Sequence, residues 1–376
     1  MNSMRYDLSK LPLHSLLPRI CGATAALARL DERLAHSPVG EGWIERMHFT
    51  DACASLWIDG ELVHLEDLVL HDDGHDIRTP THELTIARDV LRTRRRIVLQ
   101  PPDWALGIES IRSLRGLGGA DPIGDRQKAS APLAGDEPVA RAKEGEPDMS
   151  DPLARELAAI DAVLARSEAV LSGASVPPRR GGREKDPLVY DLDWDEDARL
   201  EEWRVAVDES RELPPALRAV LLLDAWNTLQ VLQHAPWLGR LLAAACLREA
   251  GLTTGANLAA LNLGLKTIRR EQRVHRDRDT RLAAYLDGVT AAVTIGMKEH
   301  DRLILARQMM ERRLVDRRTS SRLPDLIDLV LSRPMVSTGM VARALGVTPR
   351  AALRIVEELK LRELTGRGRF RAWGVL

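Results

Sequence analysis

What can fill a core constrains this chain most. Only 3% of its 376 residues are aromatic, and eight of those 13 are Trp, with three Tyr and two Phe. Cores here must therefore be built from Leu, Ala, Val and Ile. Leu and Ala favour helices, whereas all-β sandwiches draw on aromatic and β-branched residues. From Leu188 to Ser332 no Val/Ile/Thr alternation breaks the helical pattern. The expected class is mainly α, helix packed on helix. At about 100–200 residues per domain, the length allows two or three domains.

Charge and cysteine usage exclude several classes. The formal net charge is −1, so the chain as a whole is not a polyelectrolyte drawn to nucleic acid or anionic lipid. Cys21, Cys53 and Cys246 form no CxxC pair, which argues against a disulfide framework or a thiolate zinc site. Met1 to Lys10 carries no apolar signal core, and no stretch approaches the ~20 apolar residues of a membrane span. The expectation is a cytoplasmic protein with no membrane partner and no cofactor.

Four regions differ in composition. Residues 1–115 hold three apolar, mainly helical segments: Leu16 to Leu34, Glu41 to Leu70, and Pro80 to Leu99. Residues 116–187 read as flexible linkers rich in Gly, Pro and charge, flanking a helix at Asp151–Leu171. Residues 188–332 read as a helical bundle with helices at Asp195–Arg211, Pro214–Gln233, Trp237–Ala250, Ala256–Glu271, Asp277 to about Asp316, and Leu323–Ser332. Residues 333–376 hold nine basic and three acidic side chains, a balance of +6 that leaves −7 elsewhere.

That basic end has a local grammar. A short helix, Gly339–Leu345, is followed by a tight turn at Gly346-Val347. Thr348 then caps a second helix with Pro349 at its first position. Ala352, Leu353, Val356 and Leu359 fall on one face, and Arg350, Ala351, Arg354 and Glu358 on the other. This matches a helix-turn-helix. Glu363 to Trp373 reads as a hairpin wing, with Arg367, Arg369 and Arg371 projecting. The expected partner is double-stranded DNA. Thr348, Arg350 and Arg354 would meet the major groove, and the wing arginines would meet phosphate or the minor groove. The outer face of the second helix lacks Asn and Gln, which predicts modest base specificity. A homodimer is a candidate assembly, because two-fold symmetry doubles the contacts.

Two further motifs carry a resemblance. Ser55-Leu56-Trp57-Ile58-Asp59-Gly60 resembles the inhibitory S-x-x-x-E-G motif of the Fic family, with Asp for Glu. Gln233-His234-Ala235-Pro236-Trp237-Leu238-Gly239-Arg240 stands where that family carries H-P-F-x-x-G-N-G-R-x-x-R. His234 and Arg240 match the motif, while the Gly/Asn/Arg phosphate loop and the acidic metal ligand are missing. The resemblance implies a Fic-like helical bundle with a C-terminal winged helix-turn-helix and a degenerate active site. It also implies that Asp59 and Arg240 lie within ion-pair reach. The alternatives are residual AMP transfer dependent on His234, or a non-catalytic protein-interaction module. The segment Trp57 to Asp72 and the helix-turn-helix ending also resemble a group of uncharacterised proteins from plasmids of rhizobia, which implies DNA binding in a regulatory or plasmid-related role.

Other constellations read more plainly. His64, His71, His75 and His82 stand near Asp72, Asp73, Asp76 and Glu83, but at spacings of no common metal frame. Asp191 to Asp197 resembles a calcium loop with Glu196 at the position that needs Gly, so it reads as an acidic helix start. Ser55 has no His/Asp partners by spacing and is not expected to be a nucleophile. Arg92, Arg94, Arg95 and Arg96 read as a solvated helix end, and Arg269 to Arg281 as a solvated helical connection.

Overall fold

A computed structural model describes residues 6–74, 80–115, 194–314, 322–364 and 371–375. The linkers and the helix expected at Asp151–Leu171 lie outside them, as do His75, Asp76, Arg367 and Arg369. The described residues, apart from Trp194, belong to one compact unit.

The helices are, in order, α1 (Leu13–Ala35), α2 (Gly40–Asp59), α3 (Leu65–Asp72), α4 (His82–Val98), α5 (Ile108–Arg115), α6 (Glu196–Glu209), α7 (Pro215–Leu229) and α8 (Pro236–Glu249). They continue as α9 (Leu261–Thr267), α10 (Arg270–Arg273), α11 (Arg278–Glu311), α12 (Leu323–Ser332), α13 (Thr338–Leu345) and α14 (Pro349–Leu359). The strands are β1 (Val336–Ser337), β2 (Arg362–Glu363) and β3 (Ala372–Gly374), joined in the antiparallel order β1-β3-β2. The protein is mainly α, with a helix-turn-helix at its C-terminal end.

The 34-residue α11 is the strut of the bundle. Asp277 starts it by accepting from the Thr280 amide at 2.9 Å. Helix α1 runs beside it in the same direction, tied by Arg19–Asp287 at 3.0 Å and Arg33–Asp301 at 2.6 Å. On α2, Trp43 donates its indole N–H to the Gly296 carbonyl at 2.9 Å. Helix α9 presses so closely on α11 that a Cβ at Gly264 would lie 1.9 Å from the Gly288 carbonyl oxygen. Helices α7 and α8 are buried almost all round, which explains their unbroken Leu/Ala runs. There Trp226 meets Trp203 edge-on at 5.3 Å and lies across Gly239, the only side-chain size that its ring leaves room for.

Residues 6–74, 80–115 and 194–314 share one apolar core, cemented by buried polar side chains. Here three expectations are corrected. Arg94, read as solvated, is fully buried. It pairs with the buried Asp51 and donates to the Leu258 carbonyl at 2.8 Å and to His48 Nδ1 at 3.3 Å. Its neighbour Arg95 pairs with Asp72 at 2.9 Å and with Glu45. The segment Arg269 to Arg281 is likewise only partly solvated. Arg273 is buried, and Arg281 grips the buried Asp224 at 2.6 Å. Finally, the helix expected over Ala256–Glu271 is two short ones, α9 and α10. Residues 257–260 stay outside the helix because Asp31 holds the Thr254 amide and the Asn257 side chain, while Arg94 holds the Leu258 carbonyl.

The helix-turn-helix seats on the end of α11. Arg46 of α2 donates to the Val330 carbonyl at 3.4 Å and to that of Arg333. Arg302 donates to the Val375 carbonyl at 3.3 Å, and Arg313 to that of Leu359. Arg333 lies over the Phe49 ring at 5.4 Å, with Glu45 at 3.3 Å, and Arg343 pairs with Asp73 at 3.1 Å.

Candidate nucleic-acid interface

The helix-turn-helix is built by local signals. Ser337 caps α13 by accepting from the Met340 amide at 3.2 Å. Gly346 ends it at φ +62°, a left-handed conformation that costs glycine little. Thr348 accepts from the Ala351 amide at 3.3 Å and Pro349 opens α14. Thr348 is therefore a cap as well as a surface hydroxyl. Ala352, Val356 and Leu359 are buried, while Leu353 is half-buried. Arg350, Arg354 and Glu358 face outward and exposed, and Ala351 is half-buried.

The guanidinium groups of this region divide into committed and uncommitted. Arg343 is held by Asp73. Arg371, expected to project from the wing, instead pairs with Glu363 at 2.9 Å and lies over the Trp373 ring at 5.3 Å. Strand pairing brings this about, because Glu363 of β2 stands opposite Trp373 of β3. Arg350, Arg354 and Arg362 are exposed, and their side chains hold no partner among the described residues. Sequence reasoning counted Arg362 in the basic balance but gave it no role. Its exposed position on the edge strand β2, beside the exposed Lys360 at φ +52°, makes it a further exposed cation of the helix-turn-helix. This surface presents cations at the spacing of a helix face and a strand edge, which suits phosphates and base edges.

The second candidate lies on the bundle. Arg240 of α8 makes a bidentate pair with Asp59 at the end of α2, at 3.0 and 2.6 Å. The same guanidinium donates to the Ser55 hydroxyl at 2.9 Å and to the Ser55 carbonyl at 3.2 Å. Gly60 terminates α2 at φ +93°, so the chain turns away just past the pair. The structure thus brings together Ser55, Asp59, Gly60 and Arg240, while His234 is exposed in the turn before α8. A carboxylate fills the Arg240 fork, and a serine hydroxyl that accepts from a guanidinium is not activated as a nucleophile. The arrangement clamps α2 to α8. Elsewhere, burial pushes the thiols of Cys53 and Cys246 up to about 12, which leaves them protonated and unreactive at neutral pH. Among the described residues, no three His, Cys, Asp or Glu side chains gather to hold a metal, and no helix is long and apolar enough to cross a membrane.

Residues 188–315 match the family described as "Protein of unknown function (DUF1612)", and residues 323–376 match the family described as "HTH DNA binding domain". The chain is 61% identical over 381 residues to "Uncharacterized protein y4cF" of Sinorhizobium fredii (strain NBRC 101917 / NGR234), covering 99% of this chain and 100% of that protein. It belongs to the family of this rhizobial protein, and its residues 323–376 are a helix-turn-helix DNA binding domain.

Proposed function

We propose that the protein binds double-stranded DNA through α14 and the wing, as a transcriptional regulator with a plasmid-related role, and that its bundle is a Fic-like scaffold without nucleotide chemistry. The observation that carries the DNA reading is the pair Arg350 and Arg354. Both are exposed on the outer face of a capped second helix whose inner face buries Ala352, Val356 and Leu359. The contact of Arg240 with both Ser55 and Asp59 supports the Fic-like reading, since an acid on a motif arginine is what that resemblance implies. The missing phosphate loop supports the loss of chemistry, because a triphosphate needs backbone N–H donors and a metal carboxylate.

The test is binding of the full chain to random and native plasmid duplexes across a salt series. Arg350→Ala and Arg354→Ala should each cost about 1–3 kcal/mol of binding. Neutralising Arg367 and Arg369 should lower the salt slope by about 0.9 for each phosphate no longer neutralised. Arg371→Ala should change it less, since Glu363 already holds that side chain. Unchanged binding after all five substitutions would remove α14 and the wing from the interface.

A further inference from the structure

Most of the arginines among the described residues are engaged. Among the described residues, those whose side chains make no hydrogen bond, ion pair or ring contact fall in two places. Arg350, Arg354 and Arg362 are on the helix-turn-helix, with Arg312 just before it. Arg269, Arg270 and Arg276 are on the bundle, around α10. The second group has no part in the interface described above.

The surroundings of that second group are mainly basic. Between residues 264 and 279 stand Lys266, Arg269, Arg270, Arg273, Arg276 and Arg278 against Glu271, Asp277 and Asp279, a balance of +3. Lys266, Arg269, Arg270 and Arg276 are exposed. Lys266 is fixed over the indole of the partly exposed Trp57 at 5.2 Å. Beneath them Arg273 is buried and spends its Nε–H on the Ile268 carbonyl at 3.2 Å, so it neutralises nothing. Like charges repel one another, with a screening length of about 8 Å, and no described carboxylate pairs with the four at the surface. A polyanion relieves that repulsion and gains the release of its own counterions.

We propose that this corner is a second, sequence-independent DNA contact, in which Lys266, Arg269, Arg270 and Arg276 bind the phosphate backbone. The choice of partner rests on the DNA-binding reading above. The geometry suits it. The corner immediately precedes the start of α11, and the helix-turn-helix seats against Arg302 and Arg313 at the other end. Helix α11, which lies between them, has 34 residues and is about 51 Å long, so a single duplex of several turns is long enough to reach both ends.

The experiment compares the intact chain with two full-length variants on a random-sequence duplex of about 40 bp, long enough to span both places. One variant joins Lys266→Gln, Arg269→Gln, Arg270→Gln and Arg276→Gln. The other joins Arg350→Ala and Arg354→Ala. The corner variant should lose at least about ten-fold in affinity at low salt, and its salt slope should fall by up to about 3.6, or about 0.9 per phosphate. A companion with Arg269→Lys, Arg270→Lys and Arg276→Lys keeps the charge and should keep the slope. This separates the removal of charge from damage to the fold. A corner variant with an unchanged slope overturns the proposal, even if the helix-turn-helix variant fails to bind. A helix-turn-helix variant that binds like the intact chain, beside a corner variant that does not, overturns the α14 assignment and leaves the corner standing. An intact chain that binds no duplex overturns both.

Discussion

At the scale of single residues, the molecule rests on buried charge satisfied several times over. Asp51 accepts from Arg94, from the Asn262 side chain at 2.8 Å and from the Leu263 amide at 3.0 Å, all out of water. Such a carboxylate joins α2, α4 and α9. Removing it leaves an unpaired buried guanidinium, so Asp51→Ala should destabilise the fold by about 3–5 kcal/mol in chemical denaturation. A loss below about 1 kcal/mol would show that water reaches Arg94. His48, in the same network, titrates well below its ordinary value, chiefly through burial and then through Arg94 and Arg95. It is neutral when folded and takes up a proton on unfolding once the pH falls below about 6.5. Stability should therefore be level above pH 7 and fall as the pH drops from 6.5, by at most about 1.4 kcal/mol per pH unit for this one group. Urea midpoints for the intact chain and His48→Gln should converge toward pH 5 if His48 carries that slope. The sequence hid this network behind the run Arg92 to Arg96. Helical spacing from Ala87, Val90 and Leu91 puts position 94 on the apolar face, yet four arginines in five residues look solvated. The partner that allows Arg94 inside is 43 positions away.

At the scale of elements, legibility follows how local the determinants are. The helix-turn-helix can be read residue by residue because its signals lie within a few positions of what they control. Thr348 caps three residues ahead, Gly346 supplies the left-handed turn, and apolar residues every three to four positions mark the packed face. The helix at Leu323–Ser332 is legible at its observed bounds for the same reason. The start of α9 is not legible, because it is set from elsewhere. Asp31 and Arg94 take the backbone and side chains of 254–258 for themselves, and a helix there would forfeit those bonds. The pairing of Asp59 with Arg240 spans 181 positions and is reached only through a family likeness, since spacing alone does not join α2 to α8. The wing is legible as a hairpin, but not the cross-strand placement that turns Arg371 back onto Glu363.

At the scale of the whole molecule, the charge asymmetry visible in the sequence is partly answered within the fold. The C-terminal region carries +6 and the rest −7. Some of that negative charge faces the helix-turn-helix directly. Glu45 and Asp72 hold Arg333 at 3.3 and 3.6 Å, and Asp73 holds Arg343 at 3.1 Å. These pairs are partly exposed, so they are screened and individually modest. They add to the Arg46, Arg302 and Arg313 contacts that hold the DNA-binding region against the bundle. Neutralising the acids with Asp72→Asn and Asp73→Asn should loosen that seating by about 1 kcal/mol in total, while leaving the apolar contact of α12 with α2 in place. Amide exchange in residues 338–345 should then quicken about five-fold, and exchange in α7 and α8 should not change. In the intact chain, 1 M salt should reproduce much of the effect, since the Debye length falls to about 3 Å. If exchange in 338–345 does not respond to either treatment, the seating is carried by Arg46, Arg302 and the apolar face of α12, and the ionic seam is decoration on a joint that packing has already fixed.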